Sequence, residues 1–124
     1  MNLEKVRYHS ISPDKVFRGN KAWEDGKELI TSICKYPLLL GRSKSTSEIR
    51  SLIERDLNQI GVETICANLI NDCCEEDLKF VSNIARRHNC DAVIAAGGGK
   101  VLDAGKLIAD RLSLPCVTIP LSAS

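Results

Sequence analysis

Asp91-Ala92-Val93-Ile94-Ala95-Ala96-Gly97-Gly98-Gly99-Lys100-Val101-Leu102-Asp103-Ala104-Gly105-Lys106-Leu107-Ile108-Ala109 is the stretch whose reading decides the fold. Its first part is a short run of small and β-branched apolar residues, the pattern of a strand buried on both faces. The three glycines let the chain turn tightly and leave no side chain between backbone and ligand. Beyond them Val101, Gly105, Ile108, Ala109 and Leu112 recur at the spacing of a one-sided helix. Strand, glycine turn and helix start together make an anion site. Unbonded amides and the positive helix end face whatever lies over the turn, and Lys100 adds a full charge. A pyrophosphate is the expected guest.

Two common phosphate signatures do not fit this stretch. The P-loop needs two glycines four residues apart followed by Lys and Ser or Thr, whereas Lys100 is followed by Val101. The dinucleotide fingerprint G-x-G-x-x-G would place its third glycine at Leu102.

Upstream, the same alternation of strand and helix recurs. Residues 3–17 hold two short extended candidates, around Val6-Arg7-Tyr8 and Val16-Phe17, split by the turn signal Ser12-Pro13-Asp14. Asn20 is placed to cap a helix with Ala22, Gly26, Leu29, Ile30 and Ile33 on its apolar face, and Trp23 is expected to pack beside it. Pro37-Leu38-Leu39-Leu40 reads as a buried strand ended by Gly41-Arg42-Ser43-Lys44-Ser45. Ser45 and Glu48 have capping-box spacing ahead of a helix with Ile49, Leu52, Ile53, Leu57 and Ile60 inside, closed by Gly61. Val62 to Ala67 is the next strand. Asp72 and Glu75 repeat the capping-box pattern before a helix with Leu78, Val81, Ile84 and Ala85 on one face and His88 at the core edge. A last strand, Cys116-Val117-Thr118-Ile119, stops at Pro120.

This alternation predicts an α/β fold: a Rossmann-like parallel sheet with helices on both faces, preceded by short extended segments at the N-terminus. Ligands in such sheets bind outside the carboxyl ends of the strands. Three loops follow strand ends, Gly41 to Ser45, Gly97 to Lys100 and Pro120 to Ser124, and all are rich in Gly, Ser or Lys. An unrelated nucleotide-binding module without catalysis would share this arrangement.

At 124 residues the chain is one domain, and 44% hydrophobic with 27% charged residues is ordinary globular composition. A formal net charge of +1 gives no electrostatic case for nucleic acid or an anionic membrane as partner. No apolar run has the length of a membrane span, and residues 1–5 lack a signal peptide's apolar core, so the expected location is cytoplasmic. Cys34, Cys66, Cys73, Cys74, Cys90 and Cys116 form no C-x-x-C pair, and His9 and His88 add no ligand spacing. Reduced structural cysteines and no metal site in this chain are expected.

Gly97-Gly98-Gly99-Lys100-Val101-Leu102-Asp103-Ala104-Gly105-Lys106, followed by Leu114-Pro115-Cys116-Val117-Thr118-Ile119-Pro120 and Ser122-Ala123-Ser124, closely resembles the glycerol dehydrogenase branch of the metal-dependent, iron-containing alcohol dehydrogenase superfamily. The family pattern reads G-G-G-K-x-L-D-x-A-K, then L-P-x-x-x-x-P-T-x-A-S. The resemblance runs from about Pro13 to the end and is specific in the last third. It implies that residues 1–124 are an N-terminal dinucleotide-binding domain, with the backbone of Gly98, Gly99 and Lys100 on the cofactor pyrophosphate. It also implies a C-terminal helical domain, absent here, whose Asp and His residues bind Zn or Fe. The expected whole is an NAD- or NADP-dependent oxidoreductase acting on a small-molecule alcohol or polyol, as a homo-oligomer. The 124 residues alone are expected to be inactive. Glycerol-1-phosphate dehydrogenase and 3-dehydroquinate synthase share the glycine turn and are the alternatives within the superfamily.

The candidate cofactor residues are Gly41, Arg42, Ser43, Lys44, Gly97, Gly98, Gly99, Lys100, Asp103, Leu121, Ser122 and Ser124, with no catalytic residue. Asp103 is expected in the first helical turn, where a carboxylate complements the dipole. Two positions depart from the family pattern. NAD-using relatives end the second long strand in an acidic residue that accepts from the adenosine ribose; here Gly41 is followed by two cations and a hydroxyl, a set suited to the 2′-phosphate of NADP. The relatives' Thr after the last proline is Leu121, where only the backbone can contact a cofactor.

Overall fold

The computed structural model describes residues 8–11, 21–42, 44–71 and 74–121. Within them the chain alternates strand and helix: β1 (Tyr8–Ser10), α1 (Lys21–Ile33), β2 (Pro37–Gly41), a 3₁₀ turn (Lys44–Thr46), α2 (Ser47–Gln59), β3 (Ile65–Asn68), α3 (Glu75–Arg87), β4 (Ala92–Gly97), α4 (Gly99–Leu112) and β5 (Cys116–Pro120). The strands form one five-stranded sheet in the order β1-β5-β4-β2-β3, and every pairing is parallel. This is the Rossmann-like α/β architecture expected from the alternation.

Strand order explains how the helices divide. The connections β1 to β2 and β2 to β3 move toward the β3 edge, while β3 to β4 and β4 to β5 move back. Right-handed crossovers put helices from opposite moves on opposite faces, and two separate cores follow. On one face Leu39, Ile94, Val117 and Ile119 meet Trp23 and Ile30 of α1 and Ile53 and Leu57 of α2. On the other, Leu38, Leu40, Val93 and Ala95 meet Leu78, Val81 and Ala85 of α3 and Ala104 and Ile108 of α4. The period-two alternation of β4 thus feeds both cores, and all six of its residues are buried.

Polar contacts lock the layers at few points. Trp23 Nε1 donates to Asp56 Oδ2 at 2.9 Å, tying α1 to α2, so Trp23 is packed as expected. The Asp91 carboxylate accepts from the amides of Lys35 and Tyr36 at 2.8 and 2.9 Å, joining the starts of β2 and β4. Thr118 Oγ1 donates to the His9 carbonyl, fastening β1 to its neighbour.

Several local expectations are corrected. The strand predicted from Val62 begins only at Ile65, because the amides of Glu63 and Thr64 bond to Lys35 O and Asn58 Oδ1 instead of a strand. Ser45 does not cap α2: the 3₁₀ turn carries the start one residue on, Thr46 is the N-cap, and no side chain caps it. Leu52 and Ile60 are exposed at 44% and 40%, since the buried stripe of α2 runs through Arg50, Ile53 and Leu57. His88 is exposed at the α3 C-cap, not at the core edge; its amide ends the helix by donating to Ile84 O. Gly61 closes α2 as expected, at φ 88°. Val6-Arg7, Val16-Phe17, the Ser12-Pro13-Asp14 turn, the Asn20 cap, the Asp72 cap and Cys73 lie outside the described residues.

The described cysteines are free thiols. Burial pushes Cys34 up to about 12 and Cys116 up to about 11, so both stay protonated and pack as small hydrophobes. Cys66 is exposed on the β3 edge, yet desolvation and the Glu54 carboxylate, which accepts from its sulfur at 2.9 Å, push it up to about 12.

Two outcomes follow from these contacts. Glu54→Gln removes the charge that disfavours the Cys66 thiolate, so Cys66 alkylation at pH 8, read by mass spectrometry, is expected to speed up several-fold. An unchanged rate would mean Glu54 does not control this thiol. Gly105 is the second case: a Cβ there would sit 2.5 Å from Ala95 Cβ. Gly105→Ala is therefore expected to cost about 1–3 kcal/mol by overpacking, more than the ~1 kcal/mol gained from alanine's helix propensity. Urea denaturation midpoints measure the difference.

Candidate functional site

Between β2 and β4 the connections leave in opposite directions, and this reversal opens a crevice at the carboxyl ends of the two strands. A cavity of about 270 Å³ sits there, lined by Arg42, Thr46, Gly97, Gly98, Gly99, Lys100, Val101 and Leu121. The chain reaches it from three strand ends: β2 contributes Arg42, β4 the glycine turn, and β5 Leu121.

The floor is the start of α4. Gly98 is its N-cap, extended at φ −82° and ψ −175°, with no side-chain cap. Leu102 donates to Gly98 O at 3.1 Å, the first bond of the helical ladder, so the amides before it stand at the helix end lining the cavity. A Cβ on Gly98 or Gly99 would meet nothing within 4 Å, which leaves both backbones open to a ligand. Gly97 differs: it is buried, and a Cβ there would press on Val101 at 3.0 Å. The first turn of α4 holds no acidic residue. The local field is positive, from helix end, Lys100 and Arg42 together.

Arg42, Gly97, Gly98, Gly99, Lys100 and Leu121 are brought together as the sequence suggested. Asp103 is not among them: α4 already starts at Gly99, so Asp103 falls beyond the first turn and is exposed. Lys44 is exposed in the 3₁₀ turn and does not line the cavity. Leu121 contributes differently from the expectation. Its amide donates to Gly97 O at 2.9 Å, which spends the backbone donor, while its side chain is buried in the α1/α2 core. Ser43, Ser122 and Ser124 lie outside the described residues.

Gly41 is buried and carries a partner the sequence reading missed. A side chain at Gly41 would overlap the guanidinium of Arg50 from α2. Arg50 is only 9% exposed, and its Nη1 donates to Thr46 Oγ1, the hydroxyl-bearing residue in the cavity wall. Burial lowers the Arg50 pKa, with Cys66 acting the other way, but an arginine keeps its proton at neutral pH. A cation thus fills the volume that any side chain at Gly41 would need. The signal was present: counting back from Leu57 and Ile53 at helical spacing lands on Arg50, an arginine on a buried stripe. Thr46 and Val101 were also missed, and neither carries a motif.

Fold and crevice define a doubly wound α/β domain with an anion-suited turn at its switch point. Comparison with known proteins narrows this to one family. The sequence profile of the family described as iron-containing alcohol dehydrogenase matches residues 13–124, and the chain belongs to that family. It is 25% identical over 113 residues to a glycerol dehydrogenase of Escherichia coli O6:H1, covering 91% of this chain and 31% of that protein. It is 26% identical over 123 residues to the glycerol-1-phosphate dehydrogenase [NAD(P)+] of Methanocorpusculum labreanum, covering 98% of this chain and 33% of that one. Among solved structures, glycerol dehydrogenase from Schizosaccharomyces pombe superposes with a TM-score of 0.72 at 17% identity, over 92% of this chain and 27% of that one, a likeness of fold. The chain spans about a third of the length of these curated relatives.

The family's description implies a metal. Among the described residues, no group of three or more His, Cys, Asp or Glu side chains is placed to hold one, so these residues do not fit it. Nor is any described helix long and apolar enough to cross a membrane.

Because Arg50 occupies the space beside Gly41, Gly41→Ala must displace it. The variant is expected to lose about 1–3 kcal/mol, and the double variant Gly41→Ala/Arg50→Met is expected to recover part of that. Equal stabilities of wild type and Gly41→Ala in urea would disprove the contact.

Proposed function

We propose that the β2/β4 crevice binds the pyrophosphate of NAD or NADP, and that these residues are the cofactor-binding domain of a metal-dependent polyol or alcohol oxidoreductase of glycerol dehydrogenase type. The observation that carries it is the start of α4. Extended Gly98, open space over Gly98 and Gly99, and the cations Lys100 and Arg42 meet at the switch point of a parallel sheet. The bound dinucleotide supplies the hydride acceptor; the residues of this chain hold and orient it. Metal polarisation of the alcohol is assigned to residues outside these 124. A cytoplasmic, homo-oligomeric enzyme completes the proposal.

Binding is tested by calorimetric titration with NADPH and NADH. Gly98→Val keeps an allowed backbone at φ −82° and meets no neighbour, so the fold is expected to persist while binding is lost. Binding that survives in this variant would move the site elsewhere.

NADP is the preferred partner in this proposal. Support comes from Gly41, which offers no carboxylate to repel a 2′-phosphate, from Arg42 in the cavity wall, and from the buried Arg50 beneath. A single charge-assisted contact contributes about 1.5–3 kcal/mol, roughly ten- to a hundredfold in affinity. 2′,5′-ADP is expected to bind that much more tightly than 5′-AMP, with Arg42→Ala removing most of the difference; equal affinities in the wild type would end the assignment.

The likeness to a glycerol-1-phosphate dehydrogenase over 98% of the chain supports a second reading, in which the substrate is a phosphorylated polyol. Both readings place the chemistry outside this chain. Assayed alone with glycerol, simple diols or a glycerol phosphate and added Zn²⁺ or Fe²⁺, the 124 residues are expected to show no turnover. Metal-dependent turnover of about 1 s⁻¹ or more would overturn that division of labour.

A further inference from the structure

A second cavity, about 350 Å³, lies on the α3/α4 side of the molecule and shares no residue with the first. Its lining is Lys79, Ser82, Asn83 and Arg86 of α3 with Arg111 of α4, three cations and no carboxylate. Glu75, in the first turn of α3, is the nearby acid. Arg111 reaches it with two bonds, at 2.5 and 2.7 Å, and Arg111 and Lys79 both help hold its carboxyl below the usual range. Among the described residues no carboxylate forms an ion pair with Lys79 or Arg86; Arg86 makes only a long 3.4 Å contact to Asn83 Oδ1.

The second observation is Ser82. The residue is 3% exposed, and its Oγ is buried with no hydrogen-bond partner. A helical serine can donate to the carbonyl one turn back; this one does not. Buried hydroxyls without partners are rare in folded proteins and costly. Ser82 itself lines the cavity, beside three cations and the neutral amide of Asn83. An oxyanion would accept from Ser82 and from the side-chain amide of Asn83, and its charge would offset that of Lys79 and Arg86. It reaches the covered hydroxyl once the long, flexible lysine and arginine stems swing aside.

We propose that this α3/α4 cavity is a binding site for a phosphate-type oxyanion, separate from the cofactor crevice. Its residues are Lys79, Ser82, Asn83 and Arg86, with Arg111 held at the rim by Glu75. The ligand class is inorganic phosphate or a phosphomonoester. A tetrahedral group has enough acceptor oxygens to meet the serine, the amide and two cations at once.

The test is residue-resolved. The ¹⁵N-labelled chain is titrated with inorganic phosphate, with sodium chloride at matched ionic strength as the control. Saturating amide shifts are expected at Ser82, Asn83, Arg86 and Arg111 that chloride does not reproduce. Ser82→Ala and Arg86→Gln are each expected to weaken this binding roughly tenfold, the effect of losing one bond to a charged group. Ser82→Ala removes an unpaired hydroxyl, so its melting temperature should hold or rise, which separates lost binding from lost folding. Free phosphate and a phosphomonoester are distinguished by repeating the titration with glycerol phosphate. Non-saturating shifts that chloride also produces would mean an adventitious ion only, and would overturn the proposal. Saturating shifts confined to Gly98–Val101, or α3 shifts indifferent to both variants, would overturn it as well.

Discussion

Gly105 lies against Ala95 with no room for a methyl group between them, and that contact sets how closely α4 lies on β4. β4 is buried along its whole length and held by a parallel neighbour on each side, so it cannot shift to accommodate a bulkier helix. Only close approach of the helix brings its first turn over the strand's carboxyl end. Val101 then packs at Gly97, where a side chain would push the turn open. The anion-suited geometry of Gly98 to Lys100 is therefore a consequence of packing two turns below it. A dipole is useful only where the helix end is held, and here the holding is steric.

The charge at the crevice rests on a different compromise. Burying the Arg50 guanidinium costs solvation, and its bond to Thr46 recovers part of that. Gly41 makes the burial feasible by giving up the volume of a side chain. The result is a buried cation on α2 beside the β2 end, whereas Arg42 is exposed. Buried and exposed cations serve different ends. A buried guanidinium loses little side-chain entropy when a ligand binds beside it, and an exposed one loses more.

The two faces of the sheet are not equivalent. The α1/α2 side carries the sole tryptophan, tied by Asp56, and the side chain of Leu121 from the crevice wall. The α3/α4 side is built from smaller residues, with Ala85, Ala104 and Ala109 letting helices lie close, and leaves Ser82 unpaired between them. The outer groove stands on the α3/α4 core, whereas the crevice draws on both, through Val101 from that core and Leu121 from the other. The two cores meet through β2, β4 and β5, whose alternate residues enter both.

The amino-acid sequence by itself determined the elements and the turn. The apolar run Ala92 to Ala96, the glycines after it and the stripe Val101, Ile108, Ala109 place β4 within a residue and the start of α4 within two residues of where they lie, because periodicity and glycine report local backbone and facing directly. The same signals identified Arg42, Gly98, Gly99 and Lys100, each next to a strand end. Their reach stopped where a residue's role depends on a distant partner. The Ser45 cap gave way to a 3₁₀ turn; Asp103 fell past the helix start; and the Leu121 amide was spent on Gly97 across the sheet. Arg50 under Gly41, the β1/β5 pairing and the unpaired Ser82 were decided by tertiary structure alone. A pattern within one helix tells which face is buried, but only the packed fold brings to that face the neighbour that gives the residue its chemistry.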